Sequence, residues 1–328
     1  MNNLNTVLNS QYFTIDCPVF SEYSSPIMFG GQLLLSFLTT VACLVVVPIH
    51  AFVDSESRIV GGVNVTGNGS PYLVSIRLAG KDFHCNGVLI STREVLTAAQ
   101  CVYNGNAVRK INEFQLVLGT LANSNSSAGS TVRSVWNVWP HNDYNPTTRI
   151  NDLAVLRLNA TVPISATLSP VGFGAASPVV NRTCTLFGWG ANATTGRPAN
   201  TLQRINLQVQ SSTSAHCVRA AGGVPLRDGM LCAGDLTAGR GACTGDLGAP
   251  LICDGSLFGV LSMTGGCGGL NETSIFIDTT RYLSWIQNRT QQAVVPPPNE
   301  NGSGTGTRSA LELGLLVLSV LYTLVIMK

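Results

Sequence analysis

The residues of this chain that carry covalent chemistry are ten cysteines and nine Asn-x-Ser/Thr sequons, at Asn64, Asn68, Asn125, Asn159, Asn181, Asn192, Asn271, Asn288 and Asn301. Cysteine thiols close into lasting disulfides only in an oxidising compartment, and the sequon receives its glycan in the secretory route. The two signals are independent and they agree. One sequon would be ordinary surface polarity, but nine in 328 residues make a secreted glycoprotein the expectation. Eight cysteines lie between Cys85 and Cys267, and their spacing alone leaves the pairing open. Cys17 and Cys43 fall in an N-terminal stretch expected to be removed. No metal or other cofactor is expected.

The elements that must hold these residues read as β-strands. From Ile59 to about Gln287 short runs rich in Val, Ile, Leu and Thr, such as YLVSIRLAG, FQLVLGTL and SLFGVLSM, alternate with Gly, Asn and Pro turns, an all-β pattern. Near the end of this region TTRYLSWIQNRT places Tyr282, Trp285 and Ile286 at spacings of three and four, the apolar stripe of a helix that docks on a core. With 45% hydrophobic residues the chain can bury a substantial core. Only 11% of residues are charged and the net charge is +2, so the basic field that nucleic-acid binding uses is missing.

The termini read differently. Leu33 to Val47 is an apolar run of signal-peptide length, followed by Pro48 and a small-residue cleavage point after Ala51. Met28 lies just upstream, so residues 28–51 form the expected signal peptide and residues 1–27 an extension before it; a retained signal anchor is the alternative reading. Residues 52–58 follow as a short propeptide candidate, then a domain over 59–290. Residues 291–309 are a Pro- and Gly-rich linker that cannot form a packed core. The tail, 310–328, contains an apolar stretch from Leu313 to Met327 that is short of the roughly 20 residues of a comfortable span. Small residues, a polar spacer and an apolar tail together form the signal for a glycosylphosphatidylinositol (GPI) anchor, with Asn301, Gly302, Ser303 and Gly304 as attachment candidates; a single C-terminal span is the alternative.

Four segments in order carry a resemblance to the chymotrypsin/trypsin family of serine proteases: RIVGG at Arg58 to Gly62, LTAAQC at Leu96 to Cys101, NDLAVLRL at Asn151 to Leu158 and GDLGAPL at Gly245 to Leu251. FGWG at Phe187 to Gly190 and the closing LSWIQ extend it over the whole β region. The resemblance implies two six-stranded antiparallel β-barrels with a cleft between them and a C-terminal helix. It also implies the pairs Cys85–Cys101, Cys184–Cys253, Cys217–Cys232 and Cys243–Cys267.

The family's acyl transfer needs a hydroxyl nucleophile, an imidazole base and a buried carboxylate that orients the imidazole. At those positions the chain has Leu247, Gln100 and Asp152. A hydrocarbon cannot attack a carbonyl and an amide does not accept a proton near neutral pH. In a related triad on another fold, losing nucleophile or base alone costs on the order of a million-fold in turnover. His84, on the cleft rim by resemblance, is the one histidine worth testing as a substitute. Other parts of the apparatus are kept: Gly245 would supply an oxyanion-hole N–H, and Asp246 would pair with a new N-terminus at Ile59 after cleavage behind Arg58. In the specificity pocket Gly241 stands where a trypsin-like enzyme has an aspartate, and Met263 and Thr264 stand where Trp and Gly are usual.

The expectation is a surface-tethered serine protease homologue without catalysis that acts by binding protein: proteases, inhibitors or cell-surface ligands. In this family such homologues serve as cascade cofactors, decoys, recognition or adhesion proteins. The alternatives are an active endopeptidase with unconventional residues and an inert structural glycoprotein.

Overall fold

The computed structural model describes residues 59–78, 82–124, 129–191, 196–236 and 240–292. The signal, propeptide and tail segments, the linker from residue 293 onward, Arg58, and the sequons at Asn125, Asn192 and Asn301 lie outside the described residues. Among the described residues no helix is long and apolar enough to cross a membrane.

Six strands form a first closed barrel: β1 (Leu73–Leu78), β2 (Phe83–Leu89), β3 (Glu94–Thr97), β4 (Phe114–Leu118), β5 (Thr131–Pro140) and β6 (Ala154–Leu158), in the order β1-β2-β3-β6-β5-β4. Six more form the second: β7 (Thr183–Gly188), β8 (Gln203–Val209), β9 (Met230–Gly234), β10 (Pro250–Cys253), β11 (Ser256–Thr264) and β12 (Ser274–Asp278). Their ring runs β7-β8-β9-β12-β11-β10, the first barrel's order repeated, with every pairing antiparallel. Closure leaves no open edge within either ring. Both expected barrels are therefore present.

The sequence pattern explains the faces. In β8 Ile205, Leu207 and Val209 point inward while Arg204, Asn206 and Gln208 face solvent, the period-two alternation of a half-buried strand. In β6, AVLRL is buried throughout because its outer face is covered as well. The cover is the C-terminal helix, α2 (Leu283–Thr290), which follows a shorter helix, α1 (Ala215–Ala220), in the chain. Ile286 is buried and Tyr282 and Trp285 pack against the same core, as the helical stripe required. One core cluster fills the first barrel and runs through Trp189, Val260 and Ile286; a second fills the other barrel around Leu186, Leu251 and Phe276.

All four implied disulfides are formed. Cys184–Cys253 links residues 69 apart in sequence and Cys217–Cys232 only 15 apart. Loop-closure entropy then ranks the first at about 4 kcal/mol and the second at about 3 kcal/mol.

Candidate functional site

Two loops of the first barrel and one strand of the second converge on Asp152. Gln100 sits in a 3-10 turn, Ala99–Val102, directly after β3, and Cys101 in that turn is tied to β2 through Cys85. Asp152 sits just ahead of β6 and is fully buried. The residue before it, Asn151, has φ +56°, a left-handed conformation that Asn tolerates better than most residues. Its amide bonds the Asp143 carbonyl and accepts from the Tyr282 hydroxyl at 2.7 Å, so the C-terminal helix segment helps to lock the turn.

Asp152 accepts three hydrogen bonds from two residues. Oδ1 receives the Gln100 backbone N–H at 2.8 Å; Oδ2 receives the Gln100 side-chain Nε2 at 2.6 Å and the Ser262 hydroxyl at 2.5 Å. The second Nε2 proton goes to the Ser262 carbonyl at 2.7 Å. Both facing groups are acceptors, so the amide must turn its nitrogen toward them. Burial pushes the Asp152 carboxyl above the usual range, while the Ser262 hydroxyl and the Gln100 donors pull it back. Gln100 thus has both amide donors committed, to Asp152 and to the Ser262 carbonyl, and carries no basic nitrogen.

Ser262 was not singled out in the sequence, where it stands unremarked in LSMTGG. It is the extra residue of a β-bulge: Leu261 pairs with Phe276 and Met263 with Ile275, leaving Ser262 unmatched on β11 and free to turn to Asp152. Bulges are not legible from one sequence.

The turn Gly245–Gly248 carries Leu247. Gly245 has φ +92° and Gly248 φ +77°. A Cβ at Gly248 would overlap the Asn86 carbonyl and the Thr97 hydroxyl, so glycine is required there. Asn86, another residue missed in the sequence, staples the turn: its Nδ2 donates to the Gly245 carbonyl at 2.9 Å and its backbone N–H to the Leu247 carbonyl at 2.9 Å. The N–H groups of Gly245 and Leu247 take no acceptor among the described residues. A pair of free, fixed N–H donors is what an oxyanion would need. The Leu247 side chain packs against the core cluster of the first barrel.

Asp246, on the same turn, is fully buried and accepts the backbone N–H groups of Gly190 and Cys243, each at 2.9 Å. Burial pushes its carboxyl up to about 7 against these two bonds, which lower it. The FGWG motif has a physical reason here, because a Cβ on Gly188 or Gly190 would collide with this carboxylate. Ile59 is buried in the second-barrel core, and Val60 bridges Gly241, whose N–H donates to the Val60 carbonyl at 3.0 Å.

The His84 Nε2 is held at 2.9 Å by the Cys101 carbonyl. Burial lowers its pKa; the bond to Cys101 opposes this, and the charge of Arg109 adds to the lowering. Gly241 carries no side chain and lies against the Gly268 backbone. Met263 packs beside the Cys217–Cys232 disulfide and lines an apolar cleft of about 270 Å³ with Val224, Pro225 and Met230. Thr264 ends β11 opposite Ser274. Of the sequons, Asn64, Asn68, Asn159, Asn181 and Asn288 are exposed and Asn271 is half-buried.

The family model described as trypsin matches residues 59–286. The chain is 31% identical to "Trypsin eta" of Drosophila erecta over 241 residues, covering 71% of this chain and 90% of that one. It is 30% identical to "Trypsin alpha-4" of Lucilia cuprina over 232 residues, 70% of this chain and 87% of the relative, and 30% identical to "Trypsin I-P1" of Gallus gallus over 255 residues, 77% and 98%.

Proposed function

The chain belongs to the trypsin family, and from that premise we propose that it is a non-catalytic member that works by binding protein at a cell surface. One observation carries the reading: Gln100 commits both amide donors to Asp152 and Ser262, in the place where the family's mechanism needs a base that can take up a proton. Leu247 adds the second deficit, since a side chain of carbon and hydrogen forms no acyl intermediate. A formed oxyanion hole alone would retain roughly a thousandfold over water, which is negligible against peptide-bond lifetimes.

The four disulfides and the exposed sequons support passage through an oxidising, glycosylating route. The C-terminal tail supports retention at the outer membrane face by a GPI anchor. Cleavage behind Arg58 would free an ammonium at Ile59, and a buried Asp246 is the partner such a group seeks; in this reading the cut reshapes a binding surface instead of starting catalysis. Identical capture of a partner by cut and uncut chain would remove that switch from the reading.

The test is chemical. The purified chain should stay unlabelled by a fluorophosphonate probe, and labelling abolished by heat denaturation would overturn the proposal. The double variant Gln100→His with Leu247→Ser should on this reading gain hydrolysis of small esters, with Asp152 and Ser262, which now hold the Gln100 side chain, holding the new imidazole.

A further inference from the structure

Trp136 is the tryptophan that the fold leaves uncovered. It is the extra residue of a bulge in β5: Val135 pairs with Leu158 and Asn137 with Arg157, leaving Trp136 unmatched. Val135 is buried, and Val138 and Trp139 pack against the first-barrel core, whereas Trp136 is half-exposed and joins no core cluster. Among the described residues no ring, cation or hydrogen-bond partner meets its indole.

The register places a sequon beside it. Asn159 follows β6 directly, opposite Ser134, and its backbone N–H donates to the Ser134 carbonyl at 2.9 Å. Its carbonyl accepts from Arg93 Nη2 at 3.3 Å, and Arg93 Nε donates to the Leu158 carbonyl at 3.1 Å. The backbone is fixed, while the exposed side-chain amide bonds nothing among the described residues. Thr161, which completes the sequon, is also exposed, and its carbonyl accepts from Arg133 at 3.0 Å. Asn159 and Ser134 face outward together, and Trp136, two residues beyond Ser134, stands on the diagonal from Asn159. Diagonal neighbours lie about 7–8 Å apart, within reach of an aromatic side chain. Other sequons lack this pairing: the Asn64 side chain is held by Gln203, and Asn288 is one turn from Trp285, whose ring is already engaged by His141 and the core.

We propose that Asn159 carries an N-linked glycan whose first N-acetylglucosamine lies across the Trp136 indole and completes the outer face of the first barrel. The inference rests on the reading of the chain as a secretory glycoprotein and gives one glycan a structural role. The Asn159 amide nitrogen attacks the anomeric carbon of a lipid-linked oligosaccharide; a C–N bond forms, the C–O bond to the lipid diphosphate breaks, the diphosphate leaves with the electron pair, and the amide gives up one proton. A sugar ring then presents a face of C–H groups, slightly positive, to the negative face of the indole.

The experiment expresses the full chain in cells that add only high-mannose glycans, maps occupied sequons by mass spectrometry and follows urea unfolding in detergent. Asn159 should be occupied, and trimming the native chain to a single N-acetylglucosamine per site with endoglycosidase H should leave the unfolding constant unchanged. Thr161→Ala, which removes the sequon and keeps Asn159, should raise that constant about fivefold, and less than about twofold when Trp136→Ser is also present. Iodide should quench tryptophan emission more strongly in Thr161→Ala than in the glycosylated chain. If Thr161→Ala impairs folding, Asn159→Gln in the same two backgrounds makes the comparison. An equal cost with and without Trp136, or a loss on trimming to one sugar, overturns the proposal. An unoccupied Asn159 in a chain glycosylated elsewhere overturns it and leaves the secretory reading standing; a chain bare at every sequon sinks that reading too.

Discussion

A carboxylate with no exposure to water and two backbone donors is poorly compensated when ionised, and Asp246 makes this measurable in the uncut chain. Its folded pKa, about 7, lies above the value of about 4 expected when unfolded. Below about pH 4 both states hold the proton and the contribution to stability is complete. Between about pH 4 and about 7 the unfolded chain releases the proton while the folded one keeps it, so stability falls as pH rises and levels off above. The upper bound is on the order of 4 kcal/mol. Asp152 shifts in the same direction, so the comparison must isolate one group. Asp246→Asn should flatten the decline in melting temperature between about pH 4 and about pH 8; an unchanged slope would mean that the carboxylate finds a cation. At this scale the sequence was informative about what is missing. Leu247 and Gln100 carry neither a hydroxyl nor an imidazole by type alone, whereas the residues that pack around them, Ser262 and Asn86, are ordinary residue types whose contacts arise from a bulge and a staple.

The element with most to lose is α2, whose C-terminal end is held by a residue of β6. Arg157 donates to the carbonyls of Thr290 and Gln292, each at 2.8 Å, and more distantly to that of Arg289. Its Nε pairs with Glu94 at 2.9 Å, both nearly buried, and its guanidinium lies 4.9 Å from the Trp139 ring centroid. One cation thus caps the orphan carbonyls of a helix end and neutralises a buried carboxylate. Arg157→Met should cost about 3–5 kcal/mol in urea unfolding, because Glu94 is left buried and unpaired. Adding Glu94→Leu should recover most of the loss, and hydrogen exchange at α2 should stay fast in both variants. A double variant no better than the single one would place the cost in packing. The strand and helix types were legible from period-two and helical patterning; the capping was not, because a basic residue inside AVLRL reads only as an exception to an apolar strand.

The described residues join two barrels of one topology through a core cluster that passes between them, and Gln100, Asp152 and Ser262 come together from both barrels. Two of the four disulfides brace loops next to that junction: Cys85–Cys101 holds the Gln100 turn, and Cys243–Cys267 ties the start of the Asp246 turn to the segment after β11. If the chain is tethered by a GPI anchor, a phosphatidylinositol-specific phospholipase applied to intact cells should release it into the medium. Chain that stays with the cells after treatment would favour a C-terminal span.

Ordered motifs and residue patterning determined by themselves the all-β class, the family resemblance and the residue types at Gln100 and Leu247, while cysteines and sequons gave the expectation of a secretory route. These are properties of residue type and local order, which a linear text preserves. The tertiary structure decided what the remaining groups do: that Gln100 is bound on both donors, that Ser262 completes the Asp152 network, and that a backbone carbonyl holds the His84 ring. Each depends on atoms distant in sequence meeting at hydrogen-bond range. Hydrophobic patterning places faces within a residue or so, while such contacts are set by bulges, left-handed turns and barrel closure. The residue types Gln100 and Leu247 could therefore be read from two letters, and the network around Asp152 only from the fold.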